Sequence, residues 1–234
     1  MRAMVLSRYV VLSLLATFVA SAAQGMEPEK LFKLVSPSVW LVRTFDRDGL
    51  PLSSGSAVVI RPHALITNCH VLGEAGSFSL VKDKVSFKGK LEQVDLERDL
   101  CLIAVTDEHF KAPAVTVADS DQLTVGQRVM ALGNPRALEM TLSDGLISRL
   151  QKNDDEQLEA IQTSAPFSPG SSGGGLFDME GRLVGITQRI DVLAGSQNLN
   201  FALPINWLMN LTERSKVQLD EYYRANAKTM SISK

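Results

Sequence analysis

The sequence predicts an all-β fold, a barrel or a sandwich, for most of its 234 residues. Short apolar runs alternate with turn residues along nearly the whole chain, a pattern typical of such folds. The 16 glycines and 9 prolines are spread widely, as many turns require. The apolar runs lie at 39–42, 57–60, 64–67, 100–105, 129–132, 146–147, 157–161, 183–186 and 200–203.

The two ends of this β-rich region show helical spacing instead. Residues 28–35 carry apolar side chains at helical intervals, and Pro37 ends the pattern. Residues 205–234 show similar intervals after Pro204. We therefore expect a short N-terminal helix and a C-terminal helix that packs on the body.

The first 23 residues have the pattern of a secretory signal peptide. Arg2 and Arg8 precede an apolar stretch at 9–20, and small residues follow at 20–23. An uncleaved membrane anchor is the alternative, but the stretch of about 12 residues is short of the roughly 20 that a spanning helix needs. The sequence thus predicts cleavage after Ala22 or Ala23 and a periplasmic or secreted chain, in which disulfides are permitted.

Composition argues against charged macromolecular partners. The chain is 45% hydrophobic and 21% charged, as expected of a globular protein, with 24 basic and 26 acidic residues and a net charge of −2. No basic block is present in the sequence, so neither nucleic acid nor an anionic membrane is indicated as a partner. Membrane contact is expected only through the signal segment before cleavage.

A glycine-dense segment at 169–175 presents Ser172 as a candidate nucleophile. A catalytic serine needs an exposed turn, an imidazole to accept its proton and a carboxylate to orient that imidazole. Adjacent glycines let a substrate approach the backbone N–H groups that bind an oxyanion. The competing interpretation is a flexible Gly/Ser loop.

Position along the chain separates the candidate partners of this serine. His70 follows an apolar run, where a strand ends, whereas His63 and His109 lie in polar segments and are expected to be solvated. Asp99 opens the apolar run 100–105, where a charge is costly unless it is hydrogen-bonded. Asp95 is the competing carboxylate, but its polar surroundings predict a solvated side chain.

Residues 170–174 also fit the G-x-S-x-G pattern of α/β-hydrolases. That fold places its histidine after the serine in the chain, and no histidine follows Ser172. The expected strands do not alternate with helices either. An esterase of that class is therefore excluded.

Several segments, in order, resemble trypsin-like peptidases of the HtrA/Deg type, in the broad class of chymotrypsin. Residues 67–71 resemble the family's T-N-x-H-V motif, 98–102 its aspartate strand and 170–174 its G-N-S-G-G turn, although Ser171 stands where asparagine or aspartate is usual. Further similar segments lie at 54–60, 131–135, 142–148, 162–165 and 200–204.

This resemblance implies two six-stranded antiparallel β-barrels packed face to face within a peptidase domain at 24–234. The first barrel, at about 38–107, would carry His70 and Asp99, and the second, at about 115–204, would carry Ser172. The backbone N–H groups of Gly170 and Ser172 would form the oxyanion hole. Polypeptide substrates, no metal and no organic cofactor are implied. A monomer and a homo-oligomer both remain open, and no PDZ domain is expected after residue 204.

The expected substrate pocket is apolar. A pocket for Lys or Arg needs a carboxylate at its base, and none lies between 162 and 172, where Phe167 stands instead. The resemblance implies that Ile186, Thr187, Leu199 and Phe201 form the far wall. We therefore expect cleavage after small or medium apolar residues. The rival hypothesis from another class is a trypsin-like fold that binds proteins without cutting them.

The two cysteines flank the expected His70–Asp99 pair. Cys69 precedes His70, and Cys101 lies two residues after Asp99 and points to the same face of its strand. If His70 and Asp99 are hydrogen-bonded, Cys69 and Cys101 must be close, and export would preserve a disulfide between them. Two buried thiols are the alternative, and the geometry of the Cβ vectors decides between them.

Overall fold

A computed structural model describes residues 25–135, 140–188, 199–216 and 218. The predicted signal peptide and the C-terminal part of the helix expected at 205–234 lie outside these residues. Within them are thirteen strands, the short α-helices α1 (Pro28–Val35) and α2 (Cys69–Leu72), and a further α-helical stretch at 211–216. The strands are β1 (Val39–Phe45), β2 (Pro51–Arg61), β3 (Ala64–Thr67), β4 (Ser77–Lys82), β5 (Val85–Lys88), β6 (Lys90–Asp95), β7 (Leu100–Ala104), β8 (Arg128–Gly133), β9 (Thr141–Lys152), β10 (Leu158–Thr163), β11 (Gly175–Asp178), β12 (Leu183–Gln188) and β13 (Asn200–Pro204).

The first half of the molecule is a seven-stranded sheet in the order β5-β4-β1-β2-β3-β7-β6. The all-β prediction is confirmed, but this half has seven strands rather than six. The additional strand arises at Gly89, where the chain bends between β5 and β6. A Cβ atom at Gly89 would lie 2.4 Å from the ring of Phe78 and 2.8 Å from a methyl group of Ile103, so a larger residue at the bend would have to displace these side chains.

The second half is a closed six-stranded barrel in the order β10-β13-β12-β11-β8-β9, as the resemblance implied. After β13 the chain forms a 3-10 helix, Ile205–Asn210, and then helical residues 211–216. No helix among the described residues is both long and apolar enough to cross a lipid bilayer.

Three hydrophobic clusters fill the two halves of the molecule and the interface between them. One fills the first half and includes Trp40, Leu65 and both cysteines. Another fills the second barrel around Ile161. The third contains residues of both halves, such as Val58 and Ile186, and therefore forms the interface between them. Because strand side chains alternate between faces, β2 sends Val59 into the first cluster and Val58 into the interface. The candidate site lies along this interface.

Candidate active site

His70 stands at the start of α2, where the chain turns after β3. Its ring Nδ1 lies 2.6 Å from Asp99 Oδ2, and its backbone N–H donates to Asp99 Oδ1 at 2.8 Å. Both carboxylate oxygens of Asp99 therefore bind the same histidine. The His70 side chain is 46% exposed and the Asp99 side chain 18%, so the imidazole faces solvent while the carboxylate is largely covered. This arrangement fixes the ring orientation and leaves Nε2 without a hydrogen-bond partner among the described residues.

Asp99 occupies a turn between β6 and β7 and has a φ of +55°, a left-handed conformation that is uncommon for a residue with a side chain. Its carbonyl oxygen accepts from Asn68 Nδ2 at 3.0 Å and from the Cys69 backbone N–H at 3.3 Å. The backbone of Asp99 is thus bonded to the segment that leads into His70.

A third donor to Asp99 comes from the second half of the molecule. Gln188 Nε2, at the end of β12, donates to Asp99 Oδ2 at 2.8 Å. Sequence reasoning missed this residue, although it placed the adjacent Thr187 in the pocket wall. A glutamine at a strand end matches no motif, and 89 positions separate it from Asp99.

The two cysteines are bonded to each other, with a Cα–Cα distance of 4.9 Å. Both are buried in the cluster that fills the first half. The bond joins α2 to β7, one residue before His70 and two residues after Asp99. Of the two alternatives left open by the sequence, the structure contains the disulfide.

Ser172 lies in a turn that backbone hydrogen bonds define. Its carbonyl accepts from the Ser56 N–H at 2.7 Å, and the next residue, Gly173, donates its N–H to the Thr187 carbonyl at 2.8 Å. The Ser56 hydroxyl donates to the Gly170 carbonyl at 3.0 Å. Ser56 belongs to β2 and Thr187 to β12, so both halves of the molecule support the turn.

Gly55 in β2 brings the serine and histidine segments together. A Cβ atom there would lie 2.5 Å from Val71 Cγ1, beside His70, and 3.1 Å from the Ser172 carbonyl oxygen. Both segments therefore pack on the same point of β2. No hydrogen bond joins the described side chains of Ser172 and His70. Hydrogen bonds between catalytic groups are often long before substrate binds.

The backbone N–H groups of Gly170 and Ser172 are the donors that the resemblance assigns to the oxyanion hole. Neither the Gly170 N–H nor the Ser172 N–H has a hydrogen-bond acceptor among the described residues, whereas Ser171 donates to the Ser168 carbonyl at 2.9 Å. Gly170 has a φ of +96°, a backbone conformation that favours glycine. Within the described part of the chain, the two amides predicted for the oxyanion hole thus have no partner.

A small cleft adjoins the serine turn, and Phe167, Ser171 and Thr187 are among its lining residues. Among the five predicted pocket residues, Phe167 and Thr187 contact this space. Ile186 is completely buried in the interface cluster, and Leu199 and Phe201 are half-buried outside the cleft lining. The described lining contains no acidic side chain.

The competing candidates lie apart from this site. His63 is half-buried, with Nδ1 3.1 Å from the Val105 carbonyl, rather than solvated as predicted, and His109 is exposed as predicted. The prediction that Asp95 is solvated is wrong, because its side chain is only 1% exposed and binds Arg214. The sequence could not show this, because 119 positions separate Asp95 from Arg214.

A two-part β fold that brings a histidine, an aspartate and a serine to the interface of its halves is the architecture of chymotrypsin-class serine peptidases. Residues 55–186 match the model of the trypsin-like peptidase domain, and the chain belongs to this family. Its relatives and structural neighbours are serine proteases of the HtrA/Deg type.

Named relatives and solved structures agree with this assignment. The putative serine protease HhoB of Synechocystis is 33% identical over 156 residues, which is 64% of this chain and 36% of HhoB. A probable periplasmic DegP-like serine endoprotease of Pseudomonas putida is 31% identical over 73% of this chain and 36% of its own length. The HtrA-type protease AlgW with a tripeptide superposes with a TM-score of 0.71 and 30% identity, over 80% of this chain and 62% of AlgW. The chain thus spans about a third of the length of these two relatives.

Proposed function

We propose that this chain is an exported serine endopeptidase with Ser172 as nucleophile, His70 as general base and acid, and Asp99 as the carboxylate that orients His70. The observation that carries the proposal is the double hydrogen bond from His70 to Asp99, with the Ser172 turn packed on the same strand.

In the proposed reaction, Ser172 Oγ attacks the carbonyl carbon of the scissile peptide while His70 Nε2 accepts the hydroxyl proton. His70 then gives this proton to the leaving amine, and the C–N bond breaks to leave an acyl-enzyme. Water attacks the ester carbonyl with His70 again as base, and the proton returns to Ser172 Oγ as the acid product leaves. Asp99 holds Nδ1 protonated and stabilises the imidazolium.

The N–H groups of Gly170 and Ser172, which have no acceptor among the described residues, would bind the oxyanion of each tetrahedral intermediate. Each such donor contributes roughly 3 kcal/mol to transition-state stabilisation in comparable enzymes. Ser171 donates its own N–H to a carbonyl, so it is not a candidate for this role.

We propose that the residue before the scissile bond is a small or medium apolar one, such as Val, Ala or Leu. The aromatic ring of Phe167 and the absence of acidic side chains from the described cleft lining support this preference. Profiling on a peptide library should give an apolar consensus. A profile dominated by Lys or Arg would contradict the proposal.

Export to the periplasm or outside the cell is supported by the signal-like pattern at 1–23, by the disulfide and by the periplasmic relative. The proposed substrates are polypeptides, and the chain could act as a monomer or as a homo-oligomer. The proposed hydrolysis requires neither a metal nor an organic cofactor.

The decisive experiment is labelling with a fluorophosphonate, which attaches to an activated serine. We expect the wild-type protein to be labelled and Ser172→Ala and His70→Ala to lose labelling, with turnover reduced roughly 10⁴-fold or more. Ser171→Ala is the matched control and should cost far less, because its side chain is not assigned a role. A folded wild-type protein that is not labelled would instead support the rival function of binding proteins without cutting them.

A further inference from the structure

Asp95 is a buried carboxylate at the end of β6, and its partners lie in two parts of the chain. Its side chain is only 1% exposed. The Arg98 backbone N–H donates to Oδ1 at 3.2 Å, and the Arg214 guanidinium donates to both oxygens, through Nε to Oδ2 and through Nη2 to Oδ1. A buried charge is tolerated only when it is paired in this way. Hydrogen bonds from Arg214 to Asp95, and then to Glu97, raise the pKa of Arg214 above its ordinary value.

The Asp95 carboxylate bonds to the turn that ends at Asp99. Four positions separate the two aspartates, and within the turn the Asp99 N–H donates to the Leu96 carbonyl at 3.4 Å. The bond from the Arg98 N–H to the Asp95 carboxylate fixes the turn one residue before Asp99. Because Asp99 is held at a φ of +55°, a small change in the turn would redirect its carboxylate relative to His70.

The C-terminal segment provides the other side of this arrangement. β6 is an end strand of the sheet, so its outer N–H groups need partners from elsewhere. Ser215 Oγ accepts from the Val94 N–H at 2.8 Å, and Gln218 Oε1 accepts from the Leu96 N–H at 2.6 Å. The segment that follows the second barrel therefore covers the edge of the first half, beside the turn that carries Asp99.

Arg98 is fixed by the same segment. Its guanidinium donates to Asn210 Oδ1 at 2.8 Å and lies 4.8 Å from the centroid of the Trp207 ring. The backbone of Arg98 is thus bonded to Asp95 while its side chain is bonded to the C-terminal segment. The turn between Asp95 and Asp99 is therefore held both by its own hydrogen bonds and by the C-terminal segment.

We propose that Arg214 is a positioning residue for the active site, acting through the Asp95 carboxylate on the turn that carries Asp99. The inference rests on the proposed triad. Asp99 acts by orienting His70, which is needed for proton transfer in the transition state rather than for substrate binding. Loss of Arg214 should therefore lower kcat and leave KM nearly unchanged.

The chain contains a matched control for the general cost of breaking a buried Asp–Arg pair. Asp178, also 1% exposed, binds the Arg182 Nε at 2.7 Å and the Arg182 and Glu180 backbone N–H groups. This pair lies at the end of β11 that is remote from Ser172. Arg182→Met removes the same kind of interaction without affecting the turn that carries Asp99.

The test compares Arg214→Met, Arg214→Lys and Arg182→Met in the full chain, using a peptide p-nitroanilide with valine before the scissile bond. At a temperature where all variants remain folded by circular dichroism, Arg214→Met should lower kcat about 10- to 100-fold with KM within about twofold. Arg214→Lys should recover part of the loss, and Arg182→Met should keep kcat within about threefold of the wild type. Equal losses in Arg214→Met and Arg182→Met, or an unchanged kcat in Arg214→Met, would overturn the inference.

A second readout does not depend on peptide hydrolysis, so it separates failure of this inference from failure of the proposed function. The proton between His70 Nδ1 and Asp99 Oδ2 should give a low-field ¹H resonance in the Ser172→Ala background. Adding Arg214→Met should shift or broaden this resonance, and adding Arg182→Met should not. An unchanged resonance in the Arg214→Met protein would refute the positioning role whether or not the protein is a peptidase.

Discussion

The two parts of the candidate site are supported by different kinds of interaction. His70 and Asp99 are held by side chains: a carboxylate that binds both the ring and the backbone of the histidine, an asparagine and a disulfide. Ser172 is held mostly by the backbone: carbonyl and amide groups of its glycine-rich turn bond to β2 and β12, where the Ser56 and Thr187 hydroxyls add bonds to carbonyls of the turn. Substitutions should therefore affect the first part through lost side-chain bonds and the second through steric exclusion of any Cβ atom.

The largest expected effect is at Gly173, next to the proposed nucleophile. It has a φ of +82°, and a Cβ atom there would lie 2.0 Å from the Ser56 carbonyl oxygen and 2.3 Å from Thr67 Oγ1. Gly173→Ala should destabilise the protein by more than about 3 kcal/mol and abolish fluorophosphonate labelling. Urea unfolding and the labelling assay measure the two effects.

Gly49 is the control for this substitution. Its φ of +81° is nearly the same, but no atom lies within 4 Å of the position that a Cβ would take. Gly49→Ala should cost only the backbone strain, about 1 kcal/mol, and keep full labelling. Equal losses of stability in the two alanine variants would show that glycine is required at 173 by its backbone conformation and not by the close packing of β2 on the serine turn.

The next largest effect concerns the disulfide in the histidine part of the site. The bonded cysteines are 32 positions apart, and by the chain-entropy model a loop of this length contributes roughly 3–4 kcal/mol. The double variant Cys69→Ala/Cys101→Ala should lose about this much in urea unfolding. Its kcat below the unfolding transition should fall less than about threefold, because the hydrogen bonds between His70 and Asp99 do not involve sulfur.

The disulfide can be checked directly on the wild-type protein. Mass spectrometry after alkylation under denaturing, non-reducing conditions should find no alkylated cysteine. Two alkylated thiols would show that the bond is absent. A double variant that is as stable as the wild type but inactive would instead mean that the bond orients the catalytic groups.

The three candidate residues of the site could be predicted from local sequence. His70 and Asp99 each border an apolar strand, and Ser172 lies among glycines, so short windows of sequence singled out all three as candidates. The tertiary contacts of the site could not be predicted in this way. Gln188 contacts Asp99 across 89 positions and Arg214 contacts Asp95 across 119, and neither residue type has a preferred role at such a place. The extra strand depended on how Gly89 packs, which no periodicity reveals.

The smallest expected change in free energy at the candidate site is at Gln188, the described side chain of the second barrel that bonds directly to Asp99. It donates one hydrogen bond to a carboxylate that His70 already binds twice, so its loss should leave the His70–Asp99 pair formed but less constrained. Gln188→Leu keeps similar bulk and removes the donor, and kcat should fall about 10-fold, in line with a hydrogen bond to a charged group. Gln188→Glu places a second carboxylate at the same position, and repulsion from Asp99 should lower kcat further than leucine does. Steady-state kinetics of the two variants on the same p-nitroanilide measures both effects. If the glutamate variant is as active as the wild type, the contact between β12 and Asp99 is not made in the working enzyme, and the aspartate is oriented from the first half alone.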